Sequence, residues 1–113
     1  MIRHTVVFRL RHAGGSEAEK AFLDAAMILA RIPGVEKFER LNQVSPKNDY
    51  HFGFSMEFAD QAAYQGYNDH PDHVAFVRDR WAPEVEAFLE IDYTAYGRQP
   101  MERPRPGVAR PAK

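Results

Sequence analysis

Two histidines, a tyrosine and two aspartates lie within one ten-residue segment of this chain, from Tyr67 to Phe76. The histidines His70 and His73 could take and return a proton near neutral pH. The Tyr67 hydroxyl could hydrogen-bond an oxyanion that develops on a substrate. The same segment could simply begin a helix, because Pro71 suits a first helical position and the residue before it can accept a hydrogen bond. The residues therefore indicate either an acid–base site or a structural helix start.

The same segment also contains residue types that bind metal ions. His70 and His73 are three residues apart, and Asp69 and Asp72 would add oxygen ligands. Pro71 between them places His70 outside the following helix, so the two rings need not converge. No His-Glu-x-x-His pattern occurs, and the absence of cysteine excludes thiolate ligands and disulfides. We predict no metal and no cofactor.

The length and charge of the chain narrow its class. Its 113 residues suit one domain with one hydrophobic core. The net charge is −1, but residues 98–113 hold five basic side chains and one acidic one, so residues 1–97 hold ten basic and fifteen acidic ones. An acidic body does not favour nucleic-acid binding. Without a signal-like start or an apolar run of about 20 residues, we expect a soluble, cytoplasmic protein that binds no membrane.

The first third of the chain has a strand and a helix pattern. Residues 4–10 alternate, with one face made of His4, Val6, Phe8 and Leu10. Both faces are apolar in the middle, which indicates a sheet covered on two sides. Residues 17–31 have apolar side chains at helical spacing after the N-cap candidate Ser16, and the Pro-Gly pair at 33–34 ends this helix.

The rest of the domain continues the alternation of strands and helices. Residues 35–44 and 50–58 predict a hairpin, residues 61–67 a short helix, and Pro71 a second helix that Pro83 ends or restarts. Residues from Phe88 to Ala95 alternate as a last strand. The Pro/Arg-rich tail, residues 98–113, is expected to be flexible. The domain, residues 1–97, thus has the ferredoxin-like order βαββαβ.

Motifs along residues 2–96 resemble the stress-responsive A/B barrel (Dabb) family, within the dimeric α/β-barrel superfamily. The resemblance depends on the order and spacing of these segments: His4-Thr5-Val6-Val7-Phe8, Ile32-Pro33-Gly34-Val35, Met56-Glu57-Phe58, Ala63-Tyr64, Tyr67, His70-Pro71-Asp72-His73, Phe76, Trp81-Ala82-Pro83 and Asp92-Tyr93. It implies an α+β fold with a four-stranded antiparallel sheet. It also implies a homodimer, in which two sheets close a barrel.

The resemblance extends to plant polyketide cyclases, olivetolic acid cyclase among them, which close a polyketide without a metal or cofactor. Their pattern Tyr-x-x-His-Pro-x-His falls on Tyr67, His70 and His73, with His73 in the position of the base. The acidic residue that orients the base falls on Asp92, and a pocket histidine falls on His4. We therefore expect His73 and Asp92 to be hydrogen-bonded.

Two hypotheses follow for the function. The first is a cyclase or isomerase for a polyketide-like or β-dicarbonyl compound, with His73, Tyr67 and Asp92 catalytic and with substrate contacts from His4, Val6, Phe8, Phe22 and His70. The second is a non-catalytic, stress-related dimeric barrel that binds an apolar small molecule, in which a His73–Asp92 pair only locks a helix to the last strand. Catalysis requires His73 and Tyr67 to open onto one cavity.

Overall fold

The protein, described here from a computed structural model for residues 1–97, is built on one antiparallel sheet with the strand order β2-β3-β1-β4. The strands are β1 Ile2–Leu10, β2 Glu36–Asn42, β3 Phe52–Phe58 and β4 Val85–Tyr93. The helices are α1 Glu17–Ala25, α2 Gln61–Asp69, α3 Pro71–Phe76 and α4 Ala82–Glu84. A 3-10 segment, Ala26–Arg31, follows α1, and a π segment, Val77–Trp81, joins α3 to α4. The predicted ferredoxin-like order is confirmed.

Helices cover one face of the sheet. The alternation predicted for β1 is confirmed, since Val6, Phe8 and Leu10 are buried on this face while Thr5 and Val7 lie on the other. Aromatic rings join the layers, as where Phe8 packs on Phe22. The core consists of Val6, Phe8, Leu10, Phe22, Ala26, Leu29, Ile32, Phe54, Met56, Phe58, Tyr67, Phe76 and Val85.

The opposite face of the sheet is uncovered and partly apolar, with an Arg3–Glu57 ion pair towards one end. Leu41, Leu89 and Ile91 project from it and are each 41–48% exposed. Pairing places them there, because Leu41 lies across from Gly53 and Ile91 lies across from Thr5. Exposed apolar side chains grouped on one face of a sheet are typical of an interaction site.

Several element boundaries differ from the predictions. The helix predicted over 17–31 is α-helical only to Ala25 and then tightens into the 3-10 segment, as helix ends often do. Pro83 lies in the first turn of α4, where a proline is tolerated, so of the two predicted outcomes the helix restarts there. The last strand accordingly begins earlier, at Val85, and ends at Tyr93.

The connection before β2 depends on Gly34. Its φ of +91° lies in the left-handed region, which favours glycine. A Cβ there would also lie 3.4 Å from the Ala63 Cβ of α2. The Pro-Gly turn is thus fitted closely to the helix above it.

The predictions for the tail, for membrane spanning and for localisation concern more than the fold of residues 1–97. The Pro/Arg-rich tail, residues 98–113, lies outside the described residues. None of the helices in the described part of the chain is long and apolar enough to cross a membrane. Cytoplasmic localisation stays a prediction.

Candidate active site

A cavity of about 290 Å³ lies between the covered face of the sheet and the helices. Its apolar walls are Val6, Leu29, Phe54, Met56, Phe76, Val77, Trp81 and Phe88, and its polar groups are His4, Tyr67, Asn68, His73 and Glu90. A mostly apolar cavity with a few convergent polar groups is the usual form of a small-molecule site.

The break between α2 and α3 places the tyrosine and one histidine together. Tyr67 lies in the last turn of α2, and His73 in the first turn of α3. Between them, His70 is the N-cap of α3, and its Nδ1 accepts a hydrogen bond from the Asp72 N–H at 3.1 Å. The Tyr67 and His73 ring centroids are consequently 4.4 Å apart.

One ring nitrogen of His73 is used by the backbone. The Nδ1–H donates to the Asn68 carbonyl oxygen at 3.0 Å, and since a carbonyl only accepts, Nδ1 carries the proton. Nε2 makes no hydrogen bond to any residue between 1 and 97. Burial lowers the pKa of His73 below its usual value, although the Asn68 carbonyl opposes this shift. His73 therefore presents a neutral imidazole with a free acceptor nitrogen.

Asp92 is not bonded to His73, and our prediction of that pair is wrong. Its Oδ1 lies 2.6 Å from His4 Nδ1, and its Oδ2 accepts from the Tyr64 hydroxyl at 2.7 Å. The reason is strand register: His4 and Asp92 are directly opposite on β1 and β4, so both side chains project from the same face. His73 instead pairs with the chain segment just before its own helix.

His4, Tyr64 and Asp92 form one polar network at the edge of the cavity. The Tyr64 oxygen is also 2.9 Å from His4 Nδ1. The Nδ1–H of His4 and the O–H of Tyr64 therefore share the Asp92 carboxylate as their acceptor. Burial and the hydrogen bond to Asp92 raise the pKa of Tyr64, which keeps its hydroxyl protonated. The network fixes the His4 ring and leaves its Nε2 for the cavity, 4.0 Å from Glu90 Oε2.

Tyr67 supplies a hydrogen-bond donor. Its ring is buried against Phe58. Burial, with a smaller contribution from Glu90, raises the pKa of Tyr67, so the hydroxyl stays protonated at neutral pH. This hydroxyl makes no hydrogen bond within the described part of the chain.

Some of the predicted substrate contacts lie elsewhere. His4 and Val6 line the cavity. Phe8 and Phe22 are fully buried in the core and are not among the lining residues, because the wide ring of Trp81 packs over both. His70 is occupied as the cap of α3. Phe8, Phe22 and His70 thus lie outside the lining of the cavity.

Several residues of the site were not predicted as such from the sequence, among them Tyr64, Asn68, Trp81, Phe88 and Glu90. Strand alternation carried a signal for Glu90, since it stands two residues before Asp92 on the same face of β4. Tyr64 precedes Tyr67 by one helical turn, a spacing that places both on one face. Asn68 contributes its backbone carbonyl to His73, which no side-chain pattern reveals.

Metal ligation would require His70 and His73 to converge with further ligands. Among residues 1–97, no group of three or more histidines and carboxylates is arranged to hold a metal ion. The capping role of His70 directs its Nδ1 to a backbone N–H, away from joint ligation with His73.

The fold is that of a small ferredoxin-like protein whose apolar cavity is lined by two histidines and a tyrosine, and the comparisons with known proteins specify its family. The model of the stress responsive A/B barrel domain matches residues 2–95, and the chain belongs to this family. No curated protein matches the chain.

Solved structures agree with the family. A Dabb family protein from Mesorhizobium loti with a ferredoxin-like fold is 73% identical, with a TM-score of 0.83 over 85% of this chain and 97% of that one. A dimeric ferredoxin-like protein of unknown function from Thermobifida fusca is 22% identical, with a TM-score of 0.70 over 83% and 90% of the two chains. A hydroxynitrile lyase from Passiflora edulis is 13% identical, with a TM-score of 0.73 over 88% and 96%. The last two similarities concern the fold alone.

Proposed function

We propose that the protein is a cofactor-independent acid–base catalyst that cyclises or isomerises a polyketide-like or β-dicarbonyl compound. The observation that carries this proposal is that Tyr67 and His73 line one apolar cavity. Each offers a polar atom there that no described residue occupies. One atom is a protonated donor and the other a free acceptor, which is the combination that enolisation needs.

His73 acts as the base in this proposal. Its Nε2 takes a proton from the carbon between or beside the carbonyl groups, and the C–H electron pair moves onto the carbonyl oxygen to form an enolate. The Tyr67 O–H donates to that oxygen, where negative charge develops. His4, held by Asp92 and Tyr64 through Nδ1, offers its Nε2 as an acceptor to a hydroxyl or enol O–H of the substrate.

The second half of the reaction returns the proton. In a cyclisation the enolate carbon attacks another carbonyl carbon of the same molecule, and the new alkoxide takes the proton from the His73 imidazolium. In an isomerisation the proton goes back to a different carbon. Atoms and charges balance in both cases with the residues of this chain alone.

Asp92 has a positioning role in this proposal, through His4 and not through His73. Because it bonds to His4 and Tyr64, it positions His4 and has no direct contact with the base. The hydroxynitrile lyase that shares this fold is an enzyme, which is compatible with catalysis here but transfers neither residues nor substrate.

We also propose that the protein is a homodimer. The uncovered face of the sheet, with Leu41, Leu89 and Ile91, would pack on the same face of a second copy and close a barrel. The Thermobifida fusca protein of this fold is described as dimeric. A two-fold arrangement would shield the apolar face of each sheet from water.

The catalytic proposal is tested with a linear 3,5,7-trioxo thioester, whose cyclised products are separated by liquid chromatography and identified by mass. We expect the wild-type protein to form product faster than buffer does, His73→Asn to abolish the increase, and Tyr67→Phe to lower it by about 10²-fold. His51→Asn, an exposed histidine outside the cavity, is the matched control and should retain the full rate.

Two results would oppose the proposal. Wild-type turnover equal to that of buffer, or a His73→Asn rate equal to wild type, contradicts the role of His73. Binding of the compound in the cavity without any turnover would instead support the alternative function, a non-catalytic barrel for an apolar small molecule, for which the apolar lining is the favourable observation.

A further inference from the structure

A single carboxylate faces the cavity from β4. Glu90 lies opposite Val6 in the β1–β4 ladder, one alternation away from the His4 and Asp92 pair. Its side chain lines the cavity and is 55% exposed, so it stands where the cavity meets solvent. The surrounding wall is apolar, and Phe88 precedes it on the same strand face.

Glu90 has no structural partner that would explain its position. Asp92, its neighbour on the same face, is fully engaged by His4 and Tyr64. The nearest contact of Glu90 is His4 Nε2 at 4.0 Å, which is longer than a hydrogen bond. Both carboxylate oxygens are therefore available to a donor group on a bound molecule.

Glu90 is the one carboxylate among the described residues that line the cavity. The other titratable lining groups are His4, Tyr67 and His73, with Asp92 and Tyr64 directly behind His4. No lysine or arginine is present among the described lining residues. The permanent charge that faces the cavity is therefore negative.

The charge of Glu90 acts across the cavity. It contributes to the raised pKa of Tyr67, and it opposes the lowering of the pKa of His73. A residue with such influence on both proposed catalytic groups is also close enough to act on a ligand between them.

We propose that Glu90 sets the specificity of the cavity, selecting molecules with a hydroxyl or ammonium donor at the end near solvent and rejecting carboxylates. The inference rests on the proposed function, since it concerns the same cavity, and it narrows the substrate class to uncharged or cationic compounds. A free-acid polyketide would place a second carboxylate beside Glu90 with no lysine or arginine among the described lining residues to compensate it.

The test uses three probes of one shape: 3-phenylpropan-1-ol, 3-phenylpropylamine and 3-phenylpropanoate. Trp81 is the sole tryptophan of the chain and lines the cavity, so its indole N–H gives one reporter signal in a ¹H–¹⁵N NMR spectrum. Titrations at pH 7.5 give a dissociation constant for each probe. We expect the amine and the alcohol to bind about tenfold or more tightly than the carboxylate.

Two variants test whether Glu90 causes this difference in affinity between the probes. Glu90→Gln keeps the size of the side chain and removes its charge, so the preference for the amine should disappear and the carboxylate should bind about tenfold tighter than to wild type. Glu86→Gln removes the same charge from the same strand, at a position outside the cavity that pairs with Arg9, and should leave the order unchanged.

Three outcomes would overturn the inference: equal binding of carboxylate and alcohol to wild type, an unchanged order in Glu90→Gln, or no movement of the Trp81 signal with any probe. None of these measurements involves turnover. His73→Asn, which should abolish catalysis, should keep the order of the three affinities. A failure of the catalytic proposal is thus distinguishable from a failure of this one.

Discussion

At the scale of single residues, the two histidines of the cavity differ in what holds them. The His4 ring is fixed by a carboxylate from the neighbouring strand, and the His73 ring by a peptide carbonyl of its own helical region. A neutral carbonyl stabilises an imidazolium less than a carboxylate does. His73 therefore stays neutral, and its Nε2, which no described residue binds, is available to accept a proton. His4, whose Nδ1 is held by Asp92, is suited to bind and orient.

A double-mutant cycle would measure these pairings. We expect His4→Ala and Asp92→Ala to show a coupling free energy of ~1–2 kcal/mol, because their side chains are in direct contact and Asp92 is partly exposed. His73→Ala and Asp92→Ala should be additive within ~0.5 kcal/mol. Urea unfolding of the wild type, the two single variants and the double variant of each cycle provides the coupling free energies. Strong coupling of His73 to Asp92 would contradict the hydrogen-bond network of His4, Tyr64 and Asp92.

The pH dependence of stability should report on His73. Since burial lowers the pKa of His73 in the folded chain, the unfolded chain binds that proton more readily. Above pH 6.5, the ordinary pKa of histidine, the His73 imidazole is neutral in both the folded and the unfolded chain. As the pH falls through 6.5, the unfolded state gains a proton first and the free energy of unfolding decreases.

The measurement is urea unfolding between pH 5 and 8. His73→Gln should unfold with a smaller loss of stability on acidification than wild type shows. His51→Gln changes an exposed histidine and should retain the wild-type dependence. A steeper acid loss in His73→Gln would mean that the buried histidine is stabilised in its charged form.

The sequence predicted part of this site. Tyr67 and His73 could be placed together because the Tyr-x-x-His-Pro-x-His pattern is local and its proline fixes the helix break. The partner of Asp92 could not be found in this way, because it depends on the register of β1 against β4, which pairs residues 88 positions apart. The same register placed Glu90 at the cavity.

At the scale of elements, the junction of α2 and α3 positions the proposed catalytic pair. Asp60 caps α2 by accepting from the Ala63 N–H at 2.9 Å, and His70 caps α3. The two caps, with Pro71, set the angle at which His73 follows Tyr67. The sequence predicted this break correctly, whereas it did not predict the π segment after α3, which side-chain spacing does not specify.

His70 should act as a cap and not as a ligand contact. His70→Ala removes the acceptor for the Asp72 N–H and should lower the free energy of unfolding by ~0.5–2 kcal/mol. His70→Asn supplies another side-chain acceptor and should restore most of it. If His70→Asn recovers stability but loses turnover, the imidazole has a chemical role beyond capping.

At the scale of the whole molecule, the sheet has one face that this chain does not cover. Alternation in β1 indicated two covered faces from the sequence alone, and the helices account for only one of them. Leu41, Leu89 and Ile91 are exposed on the other. Burying such a face against a second copy would form an interface larger than ~1,200 Å², the size of stable protein interfaces.

We therefore expect the protein to sediment at micromolar concentration with twice its 13.0 kDa chain mass. Ile91→Glu should shift it to the monomer, because the substitution buries a carboxylate in an apolar interface. Met27→Glu introduces the same charge at an equally exposed apolar residue, 41% in both cases, but in the helical layer, and should leave the dimer intact. Circular dichroism must show that both variants stay folded. A wild-type monomer, or a dimer that Ile91→Glu does not weaken, would show that the uncovered face is not the contact between the two copies.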